Sequence, residues 1–423
     1  MKNIKKSGAF LALIYLVSLC LGVKGYRTIV FKAFDALTGK SAIGISDDAA
    51  TGDAPSNSEA FIKEKSVPKA QLSLSQATPL QVMKTATQLG KTYFLDIPAR
   101  AKNFLITING GFQRVVGRNA TFENTLGQEL IRLDNGWLVK LQVPSDATRA
   151  IYRMRYEDII KLDEQLSPKG IPLVFGMVPY KVEAADLPVE NMAQDNFSLL
   201  SGPLMESGVD VIDIKSEFAK SGRDLITSYF KTDHHWTPEA GLWFAGVLAE
   251  KFEKSYGFSY DKSLLDPGNY TYEILPSWFL GSQGRRIGPL FTDVDDFSII
   301  HPNFETSVES VTLSTRNIWE RKEGTFEEAF YWPKLAEKKG YFDGNVWGMY
   351  ARGDNPLQFL RNNNAPNDKK IVVIKHSFAC VVTPFLSLAC KELCVIDLRA
   401  AGRPENLYKY MEDYDPDLVL ILW

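Results

Sequence analysis

A chain of 423 residues can bury a large core, and length alone allows two or three domains. Its formal net charge of -3 at pH 7 comes without a basic stripe, so nucleic acid is not an expected partner. The four cysteines, Cys20, Cys380, Cys390 and Cys394, are too sparse for a disulfide framework, and a lone C-x3-C pair is poor zinc spacing, so mostly buried thiols are expected.

In chain order, residues 1–25 join a basic head to a short apolar stretch and read as a signal peptide or membrane anchor. That would place the working part outside the cytoplasm, secreted or held at the cell membrane. Residues 26–85, with "SDDAATGDAPSNSEAF", read as a flexible tether. Residues 86–144 read as a small β-containing lead-in, with strands predicted at "NFLITING" and "GWLVKLQV".

Over residues 145–423 amphipathic helices alternate with short apolar strands. "YEDIIKLDEQLSPKG" is helical, and "IPLVFGMVP" and "VDVIDI" are buried strands around the helical turn "GPLMESG". Much later come the strand "KKIVVIK", the strand "LCVIDLR", the helix "NLYKYMEDYDP" and the final strand "DLVLILW". Five apolar strands joined by helices predict an α/β fold with a parallel sheet and right-handed crossovers. A turn-rich insertion over 256–369 is harder to read.

The stretch "KTDHHWTPEAG", Lys231 to Gly241, holds two of the four histidines. Thr237 suits an N-cap, Pro238 the first helical position and Glu239 the first turn. Leu242, Ala245, Leu248 and Phe252 then recur at helical spacing, and Gly257 is a stop. Asp233, His234, His235 and Trp236 therefore occupy the loop entering a helix, where a metal site, a catalytic dyad and a capping loop compete.

In open parallel sheets, ligands bind beyond the carboxyl ends of the strands. "IVVIKHSFACVVTPFL" ends its strand at His376-Ser377 and begins a helix directly, which exposes the Ser377 hydroxyl at that edge with its amide as an oxyanion donor. A strand-end serine is commonly only an N-cap. His376 cannot easily be its base, because neighbouring strand side chains point to opposite faces. His235 is the best candidate, with Asp233 two residues earlier to accept from its other ring nitrogen. Adjacent His234 and His235 are expected to diverge, and no H-x-H or H-x3-H pair is present, so no metal ligands are assigned.

Together with "VIDLR" and "DPDLVLI", these motifs resemble the DHHW family, which is similar to the SGNH-hydrolase-like domains of alginate O-acetyltransferase accessory proteins. The resemblance covers about Ser145 to Trp423. It implies an SGNH-hydrolase-like sheet sandwiched by helices, with Asp233 as orienter, His235 as base and Ser377 as nucleophile. The chain departs from the pattern at His376, where such families commonly have Asp, and in "ACVVTPFL", which lacks an Asn often found there. Arg399 resembles a family arginine and would steady an acyl oxygen or a sugar acid, or else form a surface ion pair. Arg285 and Arg286, in a stretch from Gly281 to Phe291 that also resembles the family, are further substrate or oxyanion candidates. Trp236 would pack over the site or anchor its loop, and His376 is a candidate for substrate contact.

The expectation is an extracytoplasmic O-acetyltransferase acting on a bacterial glycan. An O-acetyl esterase using the same residues and a non-catalytic glycan-binding subunit are the alternatives. The chemistry requires no metal or cofactor. Transfer would also need a multi-spanning membrane acyltransferase as partner to deliver the acetyl group.

Overall fold

A computed structural model of the chain describes residues 99–123, 128–141, 146–182, 187, 197–337, 340–401 and 414–423. The leader and tether expected over residues 1–25 and 26–85 lie outside the described residues, as does most of the helix expected over 406–416. Among the described residues no helix is long and apolar enough to cross a membrane. The chain divides into a unit ending at Gln113 and a second from Arg114 to Trp423.

The first described element is helix α1, Ala99–Val115. It corrects the strand expected at "NFLITING". A short apolar run does not by itself separate helix from strand, and here burial falls on Ile106, Gly110 and Gln113, at helical spacing. Three antiparallel strands follow: β1 (Ala120–Glu123), β2 (Gln128–Arg132) and β3 (Leu138–Lys140), the last within the expected "GWLVKLQV".

Helix α2 (Asp146–Leu166) leads to strand β4 (Leu173–Gly176), short helix α3 (Gly202–Glu206), strand β5 (Asp210–Ile212) and helix α4 (Ile214–Ser221). Helix α5 spans Pro238–Tyr256 with Thr237 as N-cap, and ends at Gly257 in the left-handed conformation that glycine adopts without penalty. The insertion contributes a β6–β7 pair (Tyr270–Phe279, Asp295–Pro302), then β8 (Val308–Leu313), β9 (Trp319–Gly324) and β10 (Leu357–Asn362). The last three strands are β11 (Lys370–Lys375), β12 (Glu392–Ile396) and β13 (Leu418–Leu422).

Eight strands form the main sheet in the order β5-β4-β13-β11-β12-β10-β8-β9. The five expected strands are mutually parallel, and the insertion extends their edge with three antiparallel ones. Side chains on a strand alternate between faces. Ile371, Val373, Leu418 and Leu420 accordingly join the core under α5, while Val372, Ile374, Val419 and Ile421 pack with Ile159 and Leu162 of α2. A sheet covered on both faces needs strands apolar throughout, and the fully buried LVLIL of β13 meets that need. Outermost β9, "WERKEG", is exposed, and its charges discourage further strand pairing.

Candidate active site

The histidine loop is fixed from three sides. Asp295 on β7 accepts the amides of Lys231 at 2.6 Å and Thr232 at 2.9 Å as well as the Thr232 hydroxyl. Burial raises this carboxyl to about 6 against those hydrogen bonds. Gln283 and Gly284 donate their amides to the Thr232 carbonyl, and Gly281 donates to the Thr232 hydroxyl at 2.7 Å. Beneath the loop, buried Lys181 donates to the carbonyl of Asp233 at 2.9 Å and to Gln283 Oε1 at 3.3 Å; burial lowers its pKa to about 7.

Two glycines are required by close approach. A Cβ on Gly281 would lie 2.4 Å from Asp233 Cβ, and one on Gly241 would lie 2.1 Å from the Val381 carbonyl oxygen. The first lets the 281–284 segment wrap the acid. The second lets α5 press against the turn that carries Ser377.

Asp233 is fully buried and accepts the amides of His234 (2.7 Å), His235 (3.1 Å) and Ser282 (2.5 Å). Its Oδ1 lies 2.7 Å from His235 Nδ1, and His235 Nε2 lies 2.8 Å from Ser377 Oγ. The structure thus brings Asp233, His235 and Ser377 into one hydrogen-bonded chain. Burial opposes ionisation of Asp233, but the charge and hydrogen bonds of the two imidazoles, His235 foremost, hold its carboxyl well below the usual range. Burial lowers the His235 pKa although Asp233 pulls it up, so the resting ring is neutral. With Nδ1–H directed to a carboxylate, Nε2 is free to take the serine proton.

Ser377 opens a 3-10 helix, Ser377–Val381, directly after β11. Phe378 and Trp347 enclose His235. The Trp347 indole is stacked on the imidazole, centroids 3.9 Å apart and planes 23° apart, and its buried Nε1 has no hydrogen-bond partner among the described residues.

Several expectations need correction. His234 and His235 do not diverge: their rings lie 4.0 Å apart, and His234 Nδ1 also reaches Asp233 Oδ1, at 3.1 Å. Both imidazoles fold back over the carboxylate because it caps the amides of both residues. Asp233, His234 and His235 are close enough to share an ion. They fit one poorly, since both nitrogens of His235 are already engaged.

Trp236 is fully buried among Phe218, Tyr229, Phe244 and Phe378, so it anchors the loop and offers no face to substrate. Arg285 turns away to donate to the Gly344 carbonyl at 2.6 Å and Asn345 Oδ1 at 2.7 Å, tying down the loop that carries Trp347. Arg399 pairs with Asp397 and Asp354, as the ion-pair alternative anticipated, and its Nη1 lies 3.4 Å from His376 Nδ1. His376 and Arg286 line a cavity of about 320 Å³ together with His234, Ser282, Phe378 and Trp423. Lys181, Ser282, Trp347 and Asp354 were not expected. The signals available for the first two were a lysine just past a strand end and the glycine-flanked "GSQG"; nothing marked Trp347 beyond an aromatic in a turn-rich stretch.

Residues 134–268 match the family described as SGNH hydrolase-like domain, acetyltransferase AlgX. The chain has an SGNH-hydrolase-like fold. Among solved structures, Bacillus cereus PatB1 is 20% identical with a TM-score of 0.56, over 70% of this chain and 95% of that one. A DHHW family protein from Eubacterium siraeum is 17% identical with a TM-score of 0.51, over 72% of this chain and 92% of that one. No curated protein matches the chain in sequence. In this SGNH-like fold the Asp233 and His235 loop lies within the matched residues and Ser377 beyond them.

Proposed function

We propose that the protein is an O-acyltransferase that moves an acetyl group to a hydroxyl of a glycan through Ser377, His235 and Asp233. The observation that carries this reading is the unbroken contact from Asp233 through His235 to Ser377, with heavy-atom distances of 2.7 and 2.8 Å. A serine within reach of a neutral imidazole, itself oriented by a buried carboxylate, is the arrangement that activates a hydroxyl for acyl transfer. The match to a family named for acetyltransferase AlgX supports acetyl as the group moved.

In this mechanism Ser377 Oγ attacks the acyl carbonyl and its proton passes to His235 Nε2. The tetrahedral intermediate collapses, His235 returns the proton to the leaving group, and an acyl ester remains on Ser377. A sugar hydroxyl then gives its proton to His235 and attacks that ester, releasing acetylated glycan and the serine hydroxyl. Asp233 holds Nδ1–H throughout and stabilises the transient imidazolium. Arg286 and His376 face the glycan in the adjoining cavity. A donor system that carries acetyl across the membrane, such as a multi-spanning acyltransferase, would supply an enzyme placed outside the cytoplasm by its leader.

Purified protein offered 4-nitrophenyl acetate and oligosaccharides tests the reading. Transfer predicts acetylated sugar and a rate that rises with acceptor. Free acetate as the sole product at every acceptor concentration makes the protein an esterase, and activity abolished by a chelator would move the chemistry to an ion at Asp233 and His234.

A further inference from the structure

Ser377 is preceded by a second imidazole whose protonation its neighbours dictate. His376 is half-buried, and Arg399 Nη1 lies 3.4 Å from its Nδ1. A guanidinium has donors only and does not give up its proton, so at this contact the ring nitrogen must accept. A neutral imidazole that accepts at Nδ1 carries its proton at Nε2.

Arg399 is in no position to swing away. Its Nε donates to Asp397 Oδ1 at 2.9 Å, and its Nη2 reaches Asp354 Oδ2 at 3.0 Å. Asp354 is also held by the buried ammonium of Lys375. Burial, followed by the Arg399 charge, lowers the His376 pKa to about 4, so the ring stays neutral at ordinary pH.

Among the described residues His376 Nε2 has no hydrogen-bond partner, and the ring lines the cavity beside the active serine. Tyr152, Tyr180 and Trp423 line the same cavity, and aromatic rings of this kind suit a sugar.

We propose that Arg399 holds His376 as its Nε2–H tautomer, making His376 a neutral hydrogen-bond donor to an oxygen of the glycan that enters the cavity. Arg399 is then a positioning residue acting through His376. The inference rests on the reading of this cavity as a glycan site. It gives a function to the histidine that stands where an aspartate would offer an acceptor and a negative charge.

Nitrogen-15 NMR of histidine-labelled protein reads the tautomer directly. The His376 signals should show Nε2 protonated and Nδ1 bare from pH 6 to 8, and Arg399→Gln should mix the tautomers while Arg399→Lys retains folding if the glutamine variant does not. A proton on Nδ1 in the wild type overturns the inference. Chitopentaose and an oligouronate of equal length are then titrated into Ser377→Ala protein, where no acyl chemistry intervenes. One of them should shift the Nε2 signal, His376→Ala should weaken its binding about tenfold, and His376→Gln should recover part of that through its amide N–H. No shift with either sugar, or equal binding by the alanine variant, also overturns it. Sugar binding that depends on His376 in a protein whose wild-type serine never acylates supports this inference while removing the acyltransfer reading.

Discussion

The imidazole of His235 and the indole of Trp347 lie face to face, 3.9 Å between centroids, although 112 residues separate them in sequence. The contact fixes the plane of the base by packing on one face of its ring. It also places a π face against the ring that would become cationic in the proposed transfer, an interaction of about 0.5–2 kcal/mol. Trp347→Ala should therefore lower kcat about tenfold or more with little change in substrate KM, and Trp347→Phe should recover part of it. Equal effects of both variants on KM alone would assign the tryptophan to substrate binding.

The pH dependence follows from burial. His235 must be neutral to take the serine proton, and its pKa is lowered from the ordinary 6.5 by burial, against the pull of Asp233 and Asp354 and with the help of His234. Activity should thus persist below pH 6.5 and fall only as pH drops through the lowered value. An acid limb of kcat/KM centred above 6.5 would contradict this assignment.

Gly281→Ala tests the wrap of the 281–284 segment around Asp233. A Cβ at 2.4 Å from Asp233 Cβ must push backbone or acid aside, and a displacement near 1 Å at a reacting group costs about 10²-fold in rate. The expected result is a folded protein with kcat down by about that factor. Wild-type kcat would show that the segment yields without moving Asp233.

Lys181 links the site to stability. Its pKa in the fold is about 7, below the ordinary 10.5, so between those values the unfolded chain holds a proton that the native protein has lost. Stability contributed by this group therefore rises with pH across that window. The melting temperature of the wild type, taken relative to Lys181→Met, should climb from pH 7 to 10; a flat difference would mean that the lysine stays charged in the fold.

Much of this was legible in the sequence where local rules and global fold agree. The central parallel strands carry continuous apolar runs because both faces are covered, and Thr237, Pro238 and Gly257 mark the ends of α5 by capping chemistry. Asp233, His235 and Ser377 stood out because each lies at a loop entering a helix. The stretch at α1 misled because a run of β-branched residues fits either period until burial at Ile106, Gly110 and Gln113 decides. The environment of the site was hidden for another reason. Lys181, Ser282 and Trp347 meet His235 and Asp233 only through chain closure over 49 to 112 residues, and no local pattern records such meetings. Arg285 looked like a substrate ligand because a cation in a glycine-rich stretch does not reveal which carbonyls its guanidinium will find.

The central claim is that Ser377 is the nucleophile, and covalent labelling tests it most directly. A sulfonyl fluoride, which reacts with a serine hydroxyl activated by a neighbouring base, is a fitting reagent. Intact-mass and peptide analysis should find one adduct on Ser377, none in Ser377→Ala, and labelling slowed by on the order of 10³ in His235→Ala. An unlabelled wild type, or an adduct that survives Ser377→Ala, would contradict the account.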